Sequence, residues 1–123
     1  MQTQENPPPV AGDLEQTINA ARKNLGLTDD EIARLLAVDP TTLERFLNHP
    51  GDITPEFQER RVELWNATVL IERVSESPQA GLAWLNESEL QVFQGRRPID
   101  LLREGNIDPV LTALAGMDSG LFS

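Results

Sequence analysis

The chain contains no cysteine, which excludes disulfides and thiolate metal sites and fits a reducing compartment. No apolar run approaches the roughly 20 residues that span a bilayer. Met1 to Glu5 show neither a basic nor an apolar leader region, so no secretory signal is expected. These absences point to a cytoplasmic protein without membrane contact. Histidine is nearly missing too: only His49 occurs, in the loop His49-Pro50-Gly51. There is no thiol nucleophile, no serine beside a base in sequence, no G-x-x-x-x-G-K-S/T loop and no HExxH pair. The acidic clusters Asp29-Asp30-Glu31 and Glu87/Glu89 come nearest to paired carboxylates, and the first is better explained as negative charge at a helix N-terminus. No enzyme, cofactor or metal site is expected.

Basic residues are scarce, 10 against 20 acidic ones, giving a net charge of -10, and nine of the ten are arginine. Such a surface is repelled by phosphate backbones and attracts basic partners, although acidity also serves solubility. The length of 123 residues allows about two thirds of the unfolded surface to be buried, enough for one core.

Helix signals dominate what is present. Residues 1–13 are polar and carry Pro7-Pro8-Pro9, so a disordered tail is expected there. Beyond it, a capping residue followed by proline recurs as Asp39-Pro40, Thr54-Pro55, Ser77-Pro78 and Asp108-Pro109, with Arg97-Pro98 as an uncapped variant. Proline suits the first helical turn because the N–H it lacks has no helical partner there. Thr28 to Glu31 form a capping box, and Gly26, Gly105 and Gly120 sit where helices should stop. No segment alternates apolar and polar residues as a strand does. The fold is predicted to be all-α, a small multi-helix domain. It divides into a helix-turn-helix region at 14–54, a long central helix at 55–76 on which both halves pack, and a C-terminal module at 77–123. Leu14, Ile18, Ala21 and Leu25 should face inward in the first helix, and Leu43, Phe46 and Leu47 in the third.

The segment from Asp29 to Asn48 resembles the helix-turn-helix of Xre-type regulators, with Ile32 and Ala33 in the first helix, Val38 in the turn, and Leu43 and Phe46 in the second. It departs at Ala37, where that family usually has glycine. Base or phosphate contacts would fall to Thr41, Thr42, Arg45 and Asn48, yet five acids and two arginines lie between Thr28 and Asn48. A helix-turn-helix retained for its fold is the reading, with homodimer formation through the N-terminal helices left open. DNA contact is left open for a larger assembly in which a basic partner supplies the charge.

The C-terminal third carries Trp84-Leu85, Leu90, Gly95, Pro98, Leu101-Leu102, Gly105, Val110, Leu114 and Gly120. Leu90, Val92 and Phe93 are expected to fold back onto the core. This order and spacing resemble the toxin-binding domain of the Xre/MbcA/ParS antitoxins, over about the last 40 residues. The resemblance implies a type II antitoxin that binds a RES-domain toxin, an NAD-depleting enzyme, and covers its active site, so that catalysis belongs to the partner. It implies a toxin contact on Met117, Asp118, Ser119, Gly120, Leu121 and Phe122, with Arg96 and Arg97 as polar neighbours. Leu121 and Phe122 lie beyond the last helix, where apolar side chains either fold back or meet a partner. An Xre-type DNA-binding regulator and an acidic adaptor for some other basic protein are the alternative readings.

Overall fold

A computed structural model describes residues 13–119. They form seven α-helices: α1 Leu14–Leu25, α2 Asp29–Leu35, α3 Pro40–Asn48, α4 Pro55–Val74, α5 Pro78–Glu87, α6 Pro98–Arg103 and α7 Asp108–Asp118. Single 3-10 turns follow α3 (Pro50–Asp52) and α5 (Gln91–Phe93). The described residues contain no strand, and their one β-type pairing is an isolated bridge between Leu90 and Arg96. The calls on residues 1–12 and 120–123 lie outside the described part.

Most helix starts are set as the sequence predicts. The Thr28 hydroxyl accepts the Glu31 amide while the Glu31 carboxylate accepts the Thr28 amide. Asp39, Thr54 and Ser77 accept the amides of Thr42, Phe57 and Ala80, which satisfies donors that have no partner inside a helix. Asp13 and Gln16 form a further reciprocal pair at the start of α1. The expected cap at Asp108 is not formed. Ile107 is already helical there (φ -86°, ψ -26°) and its carbonyl accepts the Leu111 amide, so Asp108 sits inside the first turn, held there because Ile107 is buried.

The central helix α4 ends at Val74, two residues before the predicted Glu76. Ser75 is extended (φ -101°, ψ 142°) as the chain leaves toward Ser77-Pro78, and a residue ahead of proline disfavours helix. Its buried positions, Phe57, Arg61, Leu64, Ala67, Thr68 and Ile71, recur at steps of three and four, one face of a helix. The other apolar residues of this helix, Val62, Trp65, Val69, Leu70 and Val74, are only half-buried. Helix α4 packs chiefly against α1 on one side and α7 on the other. It is therefore the spine joining the two halves.

The helix-turn-helix half closes over α2 and α3. Ala33 is buried where those helices cross, Leu43 and Phe46 face inward, and Phe46 meets Phe57 of α4 edge to face with centroids 4.8 Å apart, a favoured aromatic geometry. Leu47, expected inward, is 41% exposed. One residue beyond Phe46 turns the side chain about 100° around the helix, off the stripe that Leu43 and Phe46 define. The turn itself puts Ala37 at φ 61°, the left-handed region that favours glycine.

A cation lies inside the core. Arg61 is 3% exposed and donates from Nη1 to Thr17 Oγ1 (3.0 Å) and from Nε to Gln58 Oε1 (3.1 Å). Thr17 Oγ1 in turn donates to the Asp13 carbonyl (2.8 Å). Burial lowers the Arg61 pKa, and the nearby charge of Asp13 opposes that shift. The bonds tie α1 to α4 through polar groups satisfied in place, as burial demands.

Candidate functional site

The segment between α5 and α6 is a closed loop rather than a stretch laid flat on the core. The Gly95 amide bonds the Leu90 carbonyl (2.9 Å), and the Leu90 amide bonds the Arg96 carbonyl (3.3 Å). Gln94 and Gly95 both take positive φ, 59° and 82°, which reverses the chain. This reversal buries Phe93 and leaves Leu90 half-covered. Val92, expected to fold back, stands 67% exposed at the tip.

Val92, Leu90 and Gln91 of this loop, Trp84 of α5, and Ala113 and Met117 of α7 line an open apolar groove of about 300 Å³. Ala113 and Met117 share one face of α7, four residues apart. The groove runs up to the end of that helix, and so reaches the place where the chain passes into residues 120–123. The groove is a concave apolar surface of the kind on which an apolar side chain can rest.

Of the residues predicted to contact a partner, Met117 lines the groove. Asp118 pairs with Arg73 of α4 (3.2 Å), and the Ser119 hydroxyl donates to the Gly116 carbonyl (3.0 Å). Arg96 lies at the surface with both terminal nitrogens on the Glu104 carboxylate. That pairing holds the Glu104 carboxyl below the usual range and raises Arg96. Arg97 is as exposed as Arg96, and its guanidinium is paired within the chain: Nε and Nη2 bond Asp100 (3.1 and 2.8 Å), and Nη1 bonds the Asn86 carbonyl (3.2 Å). The Asp100 carboxylate also accepts the Arg97 amide. Arg97 thus stitches the end of α5 to the start of α6, a role its place before Pro98 did not reveal. Gly120, Leu121 and Phe122 lie outside the described residues.

The residues predicted for DNA gather on α3. Thr41, Arg45 and Asn48 are exposed at steps of four and three, hence on one face. Thr42 is half-buried, with its amide bonded to Asp39. The Arg45 guanidinium lies 5.2 Å from the Phe46 ring centroid, a cation–π distance. The two halves also meet directly, since Arg34 of α2 donates to the Arg103 carbonyl (2.8 Å) and Arg103 pairs with Glu31 (3.0 Å). Trp84, Leu90 and Val92 were not predicted as site residues. The signal available was Gln94-Gly95, a reversal placed directly after a short apolar run.

An all-α chain with a helix-turn-helix half, a helical C-terminal module and an apolar groove at that module's open end is built for binding. Comparison with known proteins narrows the class. The chain is 27% identical over 111 residues to the mycobacterial cidal antitoxin MbcA of Mycobacterium tuberculosis and of Mycobacterium bovis, covering 89% of this chain and 95% of theirs. Its fold is similar to a chain in the solved M. tuberculosis MbcT–MbcA toxin–antitoxin complex, with a TM-score of 0.56 and 25% identity over 92% of this chain and all of that one. No protein-family profile matches. Sequence and fold are both similar to those of the MbcA antitoxins.

Proposed function

We propose that this chain is an antitoxin that binds a cognate toxin and silences it by covering the toxin's active site. The observation that carries the reading is the near full-length likeness to MbcA, an antitoxin solved in complex with its toxin MbcT. The toxin in this reading is a RES-domain enzyme that degrades NAD. Catalysis belongs to that partner, and this chain contributes none. Contact centres on the end of α7 and the residues after it: Met117, Asp118, Ser119, Gly120, Leu121 and Phe122. Arg96 and Arg97 are the polar neighbours of that contact, Arg96 paired with Glu104 and Arg97 with Asp100. The net charge of -10 favours a basic partner surface.

Removal of residues 120–123 tests the site. The shortened chain should keep its helical content and lose at least about tenfold in inhibition of the partner, the effect of deleting a pair of apolar anchors. Full inhibition by the shortened chain would show that the contact lies elsewhere.

A further inference from the structure

Sulfur is scarce in this chain. There is no cysteine, and the two methionines are Met1 and Met117, so among the described residues a sulfur-directed oxidant meets a single atom, Met117 Sδ. That residue lies in the last turn of α7, is half-buried, and lines the open groove of about 300 Å³ with Trp84, Leu90, Gln91, Val92 and Ala113. None of these six side chains is charged, and only Gln91 and the Trp84 indole bring polar atoms. The polar groups next to Met117 in the chain are already engaged, Asp118 with Arg73 and Ser119 with the Gly116 carbonyl. A thioether in such a place packs as an apolar group, whereas its sulfoxide is polar and needs a hydrogen-bond donor.

We propose that Met117 is a reversible oxidation site for hydrogen peroxide, and that its sulfoxide unfits the groove for apolar contact with the partner. The sulfur lone pair attacks one peroxide oxygen, the O–O bond breaks, that oxygen stays on sulfur, and the other leaves as water; sulfur is oxidised and the peroxide reduced. Hydrogen peroxide is small and uncharged, so the net charge of -10 does not repel it as it repels an anionic oxidant. The reverse step belongs to the methionine sulfoxide reductases, which return the oxygen to water while a dithiol becomes a disulfide. The consequence for the partner rests on the reading that Met117 belongs to the toxin contact. Under that reading, oxidising conditions withhold the free antitoxin from its toxin.

The full chain is treated with hydrogen peroxide, digested and weighed by mass spectrometry. The peptide bearing Met117 should gain one oxygen at no less than about one tenth of its rate in the urea-unfolded chain, because susceptibility follows exposure. A slower reaction would overturn the proposal. The oxidised chain should keep its helical circular dichroism and inhibit the toxin at least about tenfold less well than the untreated chain, the effect of an unpaired polar group in an apolar contact. Treatment with the two reductases, one for each sulfoxide epimer, should restore inhibition. Met117→Leu, compared with its own untreated sample, should not respond to peroxide. Full inhibition by the sulfoxide, a loss of helix on oxidation, failure of the reductases to restore inhibition, or an equal response in Met117→Leu would each overturn the proposal and leave the antitoxin reading standing. An untreated chain that inhibits no partner would overturn that reading and with it the consequence for the partner, while the mass of the peptide still decides the chemistry at Met117.

Discussion

Ala37 concentrates, in one residue, a conflict between local conformation and side chain. Its φ of 61° places a Cβ where left-handed backbone costs roughly 1–2 kcal/mol. Glycine there removes the strain but adds about 0.4–1 kcal/mol of unfolded-state entropy. Ala37→Gly should therefore stabilise the protein by roughly 0.5 kcal/mol, seen as a higher urea midpoint with an unchanged slope. Gly26 makes the opposite case. It ends α1 at φ 67°, and a Cβ built there would lie 3.3 Å from Leu82 Cδ2, so Gly26→Ala should cost more than about 1 kcal/mol. An equal response at the two sites would mean that backbone strain controls neither. Arg61 is the residue that sequence reading missed. Arg61 follows Glu59 and Arg60 in a charged run, and only the packing of α1 on α4 puts it at 3% exposure. Arg61→Ala removes its bonds to Thr17 and Gln58 together with the packing of its stem, a loss expected at about 2–3 kcal/mol.

The helices themselves were legible because their starts are chemical. Thr28, Asp39, Thr54 and Ser77 cap where their side chains predict. Asp108 does not, because burial of Ile107 overrides the local signal. The loop from Leu90 to Arg96 was less legible, since its closure depends on backbone bonds across the turn and on Gln94 taking φ 59°, a conformation that glutamine does not announce. The same loop is flanked by the guanidinium–carboxylate pairs Arg97–Asp100 and Arg96–Glu104, and α1 and α2 are joined by Arg22–Asp29. In each pair the hydrogen-bonded arginine lowers the carboxyl pKa. A depressed folded pKa contributes stability that is present above the unfolded value of about 4 and is lost as pH falls through the folded one. Glu63 runs the other way, raised by burial, and offsets part of the loss. The urea midpoint should accordingly drop between pH 6 and pH 3, and Asp100→Asn should flatten that dependence. An acid dependence unchanged by Asp100→Asn would show that this pair contributes nothing.

At the scale of the whole molecule, α4 joins a helix-turn-helix half to a module that ends in an apolar groove, and a charge of -10 covers the assembly. Beyond the turn signal at Gln94-Gly95, the sequence did not reveal the groove, because it exists only where α5, the loop and α7 converge. The resemblance to the antitoxins was legible in the sequence, in the order of Trp84, Gly95, Pro98 and Gly105. The charge also bears on the α3 face. Thr41, Arg45 and Asn48 stand together, but Asp39 and Glu44 lie on the same helix or at its cap, so the isolated chain should bind duplex DNA weakly, with a salt slope reporting few phosphate contacts. Tight binding with a steep slope would restore the regulator reading. The central claim is tested most directly by purifying the chain with its partner from the native host, releasing the partner, and following NAD consumption as the chain is added back. The account predicts a partner that consumes NAD only when freed and falls silent at a fixed stoichiometric ratio. A freed partner that leaves NAD untouched, or one whose activity is unchanged by this chain, would contradict it.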